Sequence, residues 1–113
     1  MSISYSDVGD LRKIMISGRL DVDGTNSVAA QLEELAKAPK QSVMVDLSSL
    51  KFLASIGIRA LITSAKAVKA RGGKMVIVVN KSSTVMMSIQ ATGVDQFVPV
   101  FDSANAAEKA VTA

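Results

Sequence analysis

Three observations place this chain in the α/β class, as a mixed, mostly parallel sheet of about five strands covered by about four helices. Short β-like runs alternate with helical runs in the order β-β-α-β-α-β-α-β-α, which implies one antiparallel edge and parallel strands joined by right-handed crossovers. Met75-Val76-Ile77-Val78-Val79 is almost continuously apolar, as a strand buried on both faces must be. Hydrophobic residues make up 49% of the chain and aromatics only 4%, so the core is built from Val, Ile, Leu, Ala and Met, the habit of helix-covered sheets. With 113 residues, no internal repeat and no dividing linker, residues 1–113 read as one domain.

Ile3 to Val8 and Leu11 to Leu20 are strands joined through Gly9-Asp10, a turn short enough for an antiparallel hairpin. Asp23-Gly24-Thr25-Asn26 supplies cap-type residues for a first helix. Val28, Ala29, Leu32, Leu35 and Ala36 form its apolar face, and it ends before Pro39. Ser42 to Leu47 is a short core strand. The next helix carries its stripe at Ile58, Leu61, Ile62, Ala65 and Val68 and stops at Gly72-Gly73. After the Met75 to Val79 strand comes a third helix, about Ser82 to Thr92, ended by Gly93. Phe97 to Phe101 is a last strand, which Pro99 confines to an edge. Asp102 or Ser103 caps a terminal helix through Ala106, Ala107, Ala110 and Val111.

Composition excludes several function classes. The chain has neither Cys nor His, so it can form no disulfide and cannot by itself build a zinc site or the usual His-based acid–base or nucleophilic arrangements. No cofactor and no enzymatic activity are expected, since neither a Gly-x-Gly-x-x-Gly nor a Walker loop is present. The net charge of +3 is modest. Lys66, Lys69, Arg71 and Lys74 read as a solvated face, and without aromatic platforms a nucleic-acid partner is not expected. No segment approaches the roughly 18 to 20 apolar residues of a bilayer span, and Met1 to Asp7 lacks the pattern of an export signal, so a cytoplasmic protein without a membrane partner is expected.

The most informative stretch is Lys51-Phe52-Leu53-Ala54-Ser55-Ile56-Gly57-Ile58-Arg59, an apolar strand-and-loop unit that hands over to a helix through Ser55. Ser55 is expected at the helix N-cap, where its oxygen can accept from the first N–H groups and where the helix dipole welcomes negative charge, including a phosphate. Small and apolar groups around it suit close docking, Gly57 lets another backbone approach, and Arg59, one turn on, can pair with a phosphate. The competing readings are plainer. Ser55 is then a cap alone, Asp21 a loop or helix-start residue, and Asp46 a turn-capping residue. Asp21-Val22-Asp23-Gly24 is no calcium loop, because the Gly comes too early and Leu32 stands where the bidentate Glu belongs. Met86 and Met87 with Ile89 offer an adaptable docking face or core packing.

These residues resemble a known family, the STAS domain in its short stand-alone form, the bacterial anti-sigma-factor antagonists. Gly18-Arg19-Leu20-Asp21 matches the family's Gly-x-Leu-Asp, and Asp46-Leu47 its strand-ending Asp-Leu. Phe52-Leu53-Ala54-Ser55-Ile56-Gly57 aligns with the signature Phe-x-Asp-Ser-x-Gly, with Ala54 in place of the usual Asp. Gly72-Gly73-Lys74 and Thr92-Gly93-Val94 before Phe97 also look like the family pattern. The resemblance implies a STAS-like fold and a phosphorylated serine at Ser55. It further implies an anti-sigma factor serine kinase as the partner and a PP2C-like phosphatase that reverses the modification. The implied partner-binding surface comprises Asp21, Leu53, Ala54, Ser55, Ile56, Gly57 and Arg59. Some relatives act without phosphorylation inside larger signalling or transport assemblies, which keeps a scaffold module as the second reading. A homodimer through an open sheet edge is possible, although Pro99 disfavours one edge.

Overall fold

The computed structural model describes residues 2–37, 42–81 and 83–112. Strands β1 (Ser2–Val8) and β2 (Leu11–Leu20) form the expected hairpin, antiparallel from Ser2↔Ser17 to Val8↔Leu11. Then follow α1 (Val22–Ala36), β3 (Ser42–Asp46), β4 (Leu50–Leu53), α2 (Ser55–Ala70), β5 (Lys74–Val78), α3 (Thr84–Thr92), a 3₁₀ turn (Val94–Gln96), β6 (Val100–Phe101) and α4 (Ala104–Thr112). The sheet runs β1-β2-β3-β5-β6, and every pairing except β1–β2 is parallel. The alternation of strand and helix therefore produced the mixed, mostly parallel sheet that it implies.

Side-chain alternation along the strands divides the core between the two sheet faces. Val43 and Val45 of β3 belong to a large cluster with Ile14, Ile77, Leu32 and Leu35 of α1, Leu61 and Val68 of α2, and Ile89 of α3. Met44, between them, faces the other way with Leu11, Val76 and Val78 against Ala107 of α4. Three helices thus cover one face and a single helix covers part of the other.

Four local expectations are corrected. Leu50–Leu53, read only as part of a strand-and-loop unit, is a separate strand outside the expected five, because it pairs in parallel with the last residues of β2, a tertiary fact that four residues cannot announce. Helix α1 begins at Val22, ahead of Asp23-Gly24-Thr25-Asn26, because the Asp21 carboxylate accepts from the Gly24 N–H at 2.8 Å and caps the helix there. The last strand is only Val100–Phe101. Upstream of it, the N–H groups of Phe97 and Val98 are taken by Val94 O at 2.9 and 3.0 Å, and Pro99 has no N–H to extend the ladder. The fourth concerns the start of α2 and is taken up with the site. Ser83, with Met86 N donating to its Oγ at 3.1 Å, caps α3, and Ser103 rather than Asp102 caps α4. Gly93 ends α3 at φ +76, a left-handed conformation that suits glycine. Pro39, expected to end α1, and Ser82, expected to open α3, lie outside the described residues.

Candidate functional site

The site is built where β2 leaves β3. Its last residues, Gly18 to Leu20, pair instead with β4, and a register shift between Gly18 and Arg19 sets Arg19 opposite Phe52 and Leu20 opposite Leu53. Two helices spring from this short strip, α1 after Asp21 and α2 after Ala54. One backbone bond ties them together: Ala54 N donates to Leu20 O at 2.9 Å. Ala54 is held extended at φ −90, ψ 169, and its own carbonyl accepts from Ile58 N at 3.0 Å, the first bond of α2.

The N-cap of α2 is therefore Ala54, not Ser55, and no side chain caps this helix. The backbone bond to Leu20 decides the matter, because it fixes Ala54 as the last extended residue and makes Ser55 the first helical one. The consequence is chemical. The Ser55 hydroxyl is exposed and is not spent as a cap, while the first-turn N–H groups, which have no acceptor within the helix, stand beside it with the positive end of the helix dipole.

The remaining residues divide by depth. Leu53 is 3% exposed and Gly57 is buried, so both act from beneath the surface. A Cβ on Gly57 would come within 2.9 Å of Leu20 Cβ and of Leu53 Cδ1, and 3.1 Å of Leu20 O. The backbone that Gly57 admits is thus the chain's own. Ala54 and Ile56 are half-buried and Arg59 is exposed. Ile56 and Arg59 line a groove of about 330 Å³ between α1 and α2, facing Thr25, Asn26 and Glu33. On the other flank lies Asp21, with one carboxylate oxygen on the Gly24 N–H and the other 3.6 Å from Arg19 Nε. The Gly24 N–H, and after it Arg19, holds the Asp21 carboxyl below the usual carboxylate range.

Two residues of this surface have a role that sequence reasoning missed. The Arg19 guanidinium lies 4.5 Å over the Phe52 ring, so that cation and aromatic cover the β2–β4 strip in front of the two helix starts. Both stand inside quoted motifs, but their meeting depends on the β2–β4 register. Of the methionine cluster, Ile89 is fully buried and Met86 half-buried, leaving only Met87 exposed. Asp46 caps a turn, its Oδ1 accepting from Ser48 N at 2.9 Å. Among the described residues, no group of three or more Asp, Glu, His or Cys could hold a metal ion, and no helix is long and apolar enough to cross a membrane.

No curated protein matches this chain in sequence. Solved structures do match in fold. An anti-sigma factor antagonist from Mycobacterium paratuberculosis superposes with a TM-score of 0.89 at 20% identity, over 99% of this chain and 94% of that one. The anti-sigma factor antagonist SpoIIAA in its unphosphorylated form gives 0.71 at 18% identity, over 99% and 100%. The Bacillus cell fate determinant SpoIIAA in its phosphorylated form gives 0.69 at 16% identity, over 96% and 99%. At these identities the likeness is one of fold. The model of the STAS domain, however, matches residues 3–107, and on that match, nearly end to end, the chain belongs to the STAS domain family.

Proposed function

We propose that this protein is an anti-sigma-factor antagonist. It binds an anti-sigma serine kinase through the surface around Ser55 when that hydroxyl is free, which leaves a sigma factor unrestrained, and it releases the kinase when Ser55 is phosphorylated. A PP2C-like phosphatase restores the binding form. The observation that carries the reading is the exposed, unspent Ser55 hydroxyl at the first position of α2. A phosphate there adds about 1.5 to 2 negative charges at the positive end of the helix dipole, where the fold tolerates them. In a closely docked, partly apolar interface the same charges are costly. In this reading Arg59, one turn on, pairs with the phosphate. Asp21, Ala54, Ile56 and Arg59 supply the contact surface, with Arg19 and Phe52 at its edge, while Leu53 and Gly57 hold it in position.

The deciding experiment is phosphopeptide mass spectrometry on protein purified from its native cells under several growth conditions. Trypsin cuts after Lys51 and Arg59 and releases a peptide in which Ser55 is the only hydroxyl residue. Occupancy that changes with conditions is expected. One observation favours a second reading, a module that docks without modification: Ala54 provides no carboxylate beside the serine to help orient its hydroxyl for a kinase. A peptide unmodified in every condition, from protein that still co-purifies with a partner, would select that reading.

A further inference from the structure

At the end of the sheet remote from Ser55, β5, paired with β3 along its whole length, is left without a neighbour on its other side over Lys74 to Val76. β6 pairs only at Ile77↔Val100 and Val78↔Phe101, although β5 begins at Lys74. The cause is local. Ile77 N reaches Pro99 O at 3.0 Å, but Pro99 has no N–H to return, and the N–H groups of Phe97 and Val98 are already bonded to Val94 O. The chain therefore curls away from Lys74–Val76 and opens a cavity of about 350 Å³, the size of a small-ligand pocket.

The lining is mostly apolar. Met75, Phe97 and Phe101 line it together with Ala110 and Val111 from α4 and Ala65 from α2. Phe97 is 66% exposed, a large aromatic surface left in water beside a concave apolar wall. The charge in the lining is of one sign. Among the described residues Lys69 and Lys74 contribute, no carboxylate does, and neither lysine is ion-paired. Lysine stems lie along apolar walls while their ammonium groups stay in water, so the positive charge belongs at the mouth.

We propose that this cavity binds a small amphipathic anion, a free aliphatic carboxylate of roughly eight to twelve carbons. Its chain lies over Met75 under Phe97, and its head group meets Lys69 and Lys74. An apolar body ending in one negative charge matches both features at once. The site is independent of Ser55.

The test is titration of ¹⁵N-labelled protein with decanoate, followed by amide shifts, with decanol as the uncharged control. Shifts centred on Met75, Phe97 and Ala110 are expected, with decanol binding more weakly. The exposed double variant Lys69→Ala/Lys74→Ala should bind decanoate about tenfold more weakly while keeping the wild-type spectrum elsewhere. Phe97→Ser, also at an exposed position, should weaken decanoate and decanol alike. Equal binding of decanoate and decanol, shifts centred elsewhere, an unchanged affinity in the double variant, or binding only of an extended peptide along β5 would each overturn the proposal.

Discussion

Gly57 carries the strictest steric demand in the site. Its missing side chain lets the start of α2 rest on the end of β2, where any Cβ would meet Leu20 and Leu53 at 2.9 Å. Gly57→Ala should therefore cost about 1 to 3 kcal/mol, against the gain an alanine normally brings to a helix, because a buried contact must shift to admit it. Chemical denaturation of the two proteins checks this. Asp21 gives a pH signature. Its carboxyl holds its charge below the ordinary range, chiefly through the Gly24 N–H, so its contribution to stability is complete above about pH 4 and is lost as the pH falls through the lowered value. Asp21→Ala should lower the melting temperature at neutral pH and make it less sensitive to acid below pH 4, as melting curves across pH will record. Sequence alone picked out Asp21 and Ser55, and it weighed Asp21 as a helix-start residue while seeking α1's cap at Asp23 to Asn26; α2's cap it misplaced by one residue. The cap of α2 is decided by the Leu20–Ala54 bond, which joins residues far apart in the chain.

Among the elements, α1 shows how the fold closes a helix end without a local signal. No basic residue stands in its last turn. Instead the Arg71 guanidinium, arriving from the end of α2, donates to Ala36 O at 3.3 Å through Nε and at 3.0 Å through its terminal nitrogen, and Arg12 of β2 reaches Leu35 O at 3.4 Å. Arg71 thus bolts the ends of two neighbouring helices together, where composition alone had it on a solvated face. Arg71→Ala should destabilise the protein by about 1 to 2 kcal/mol, whereas the exposed Lys66→Ala should stay within about 0.5 kcal/mol, a contrast that urea melts resolve. Several elements were legible because β2 and the stripe of α2 repeat their burial, while β3 and β5 are almost continuously apolar. Strand β4 was not. Leu50 and Leu53 are buried and Lys51 and Phe52 exposed, a pattern too short to carry a period, and only the partner strand makes it a strand.

For the molecule as a whole, the proposed switch requires that surface chemistry change while the fold does not. Ser55→Asp places a charge at the first helical position, where the dipole favours it, so the melting temperature should stay within about 3 °C of wild type. Capture of the endogenous partner should fall at least about tenfold, and an affinity left unchanged would sink the switch. At one end of the strand path β6 is two residues long and bounded by Pro99; at the other, β1 is seven residues long, and we propose it as the edge for a homodimer. The bond between Leu20 and Ala54 has one more consequence. It uses only main-chain atoms, so it would form with any residue other than proline at position 54. The residue beside the serine can be exchanged, acidic for neutral, without moving the hydroxyl it adjoins. Recognition can thus drift in such a family while architecture stands still, and a chain with Ala54 keeps the same stage on which a different set of partners can be received.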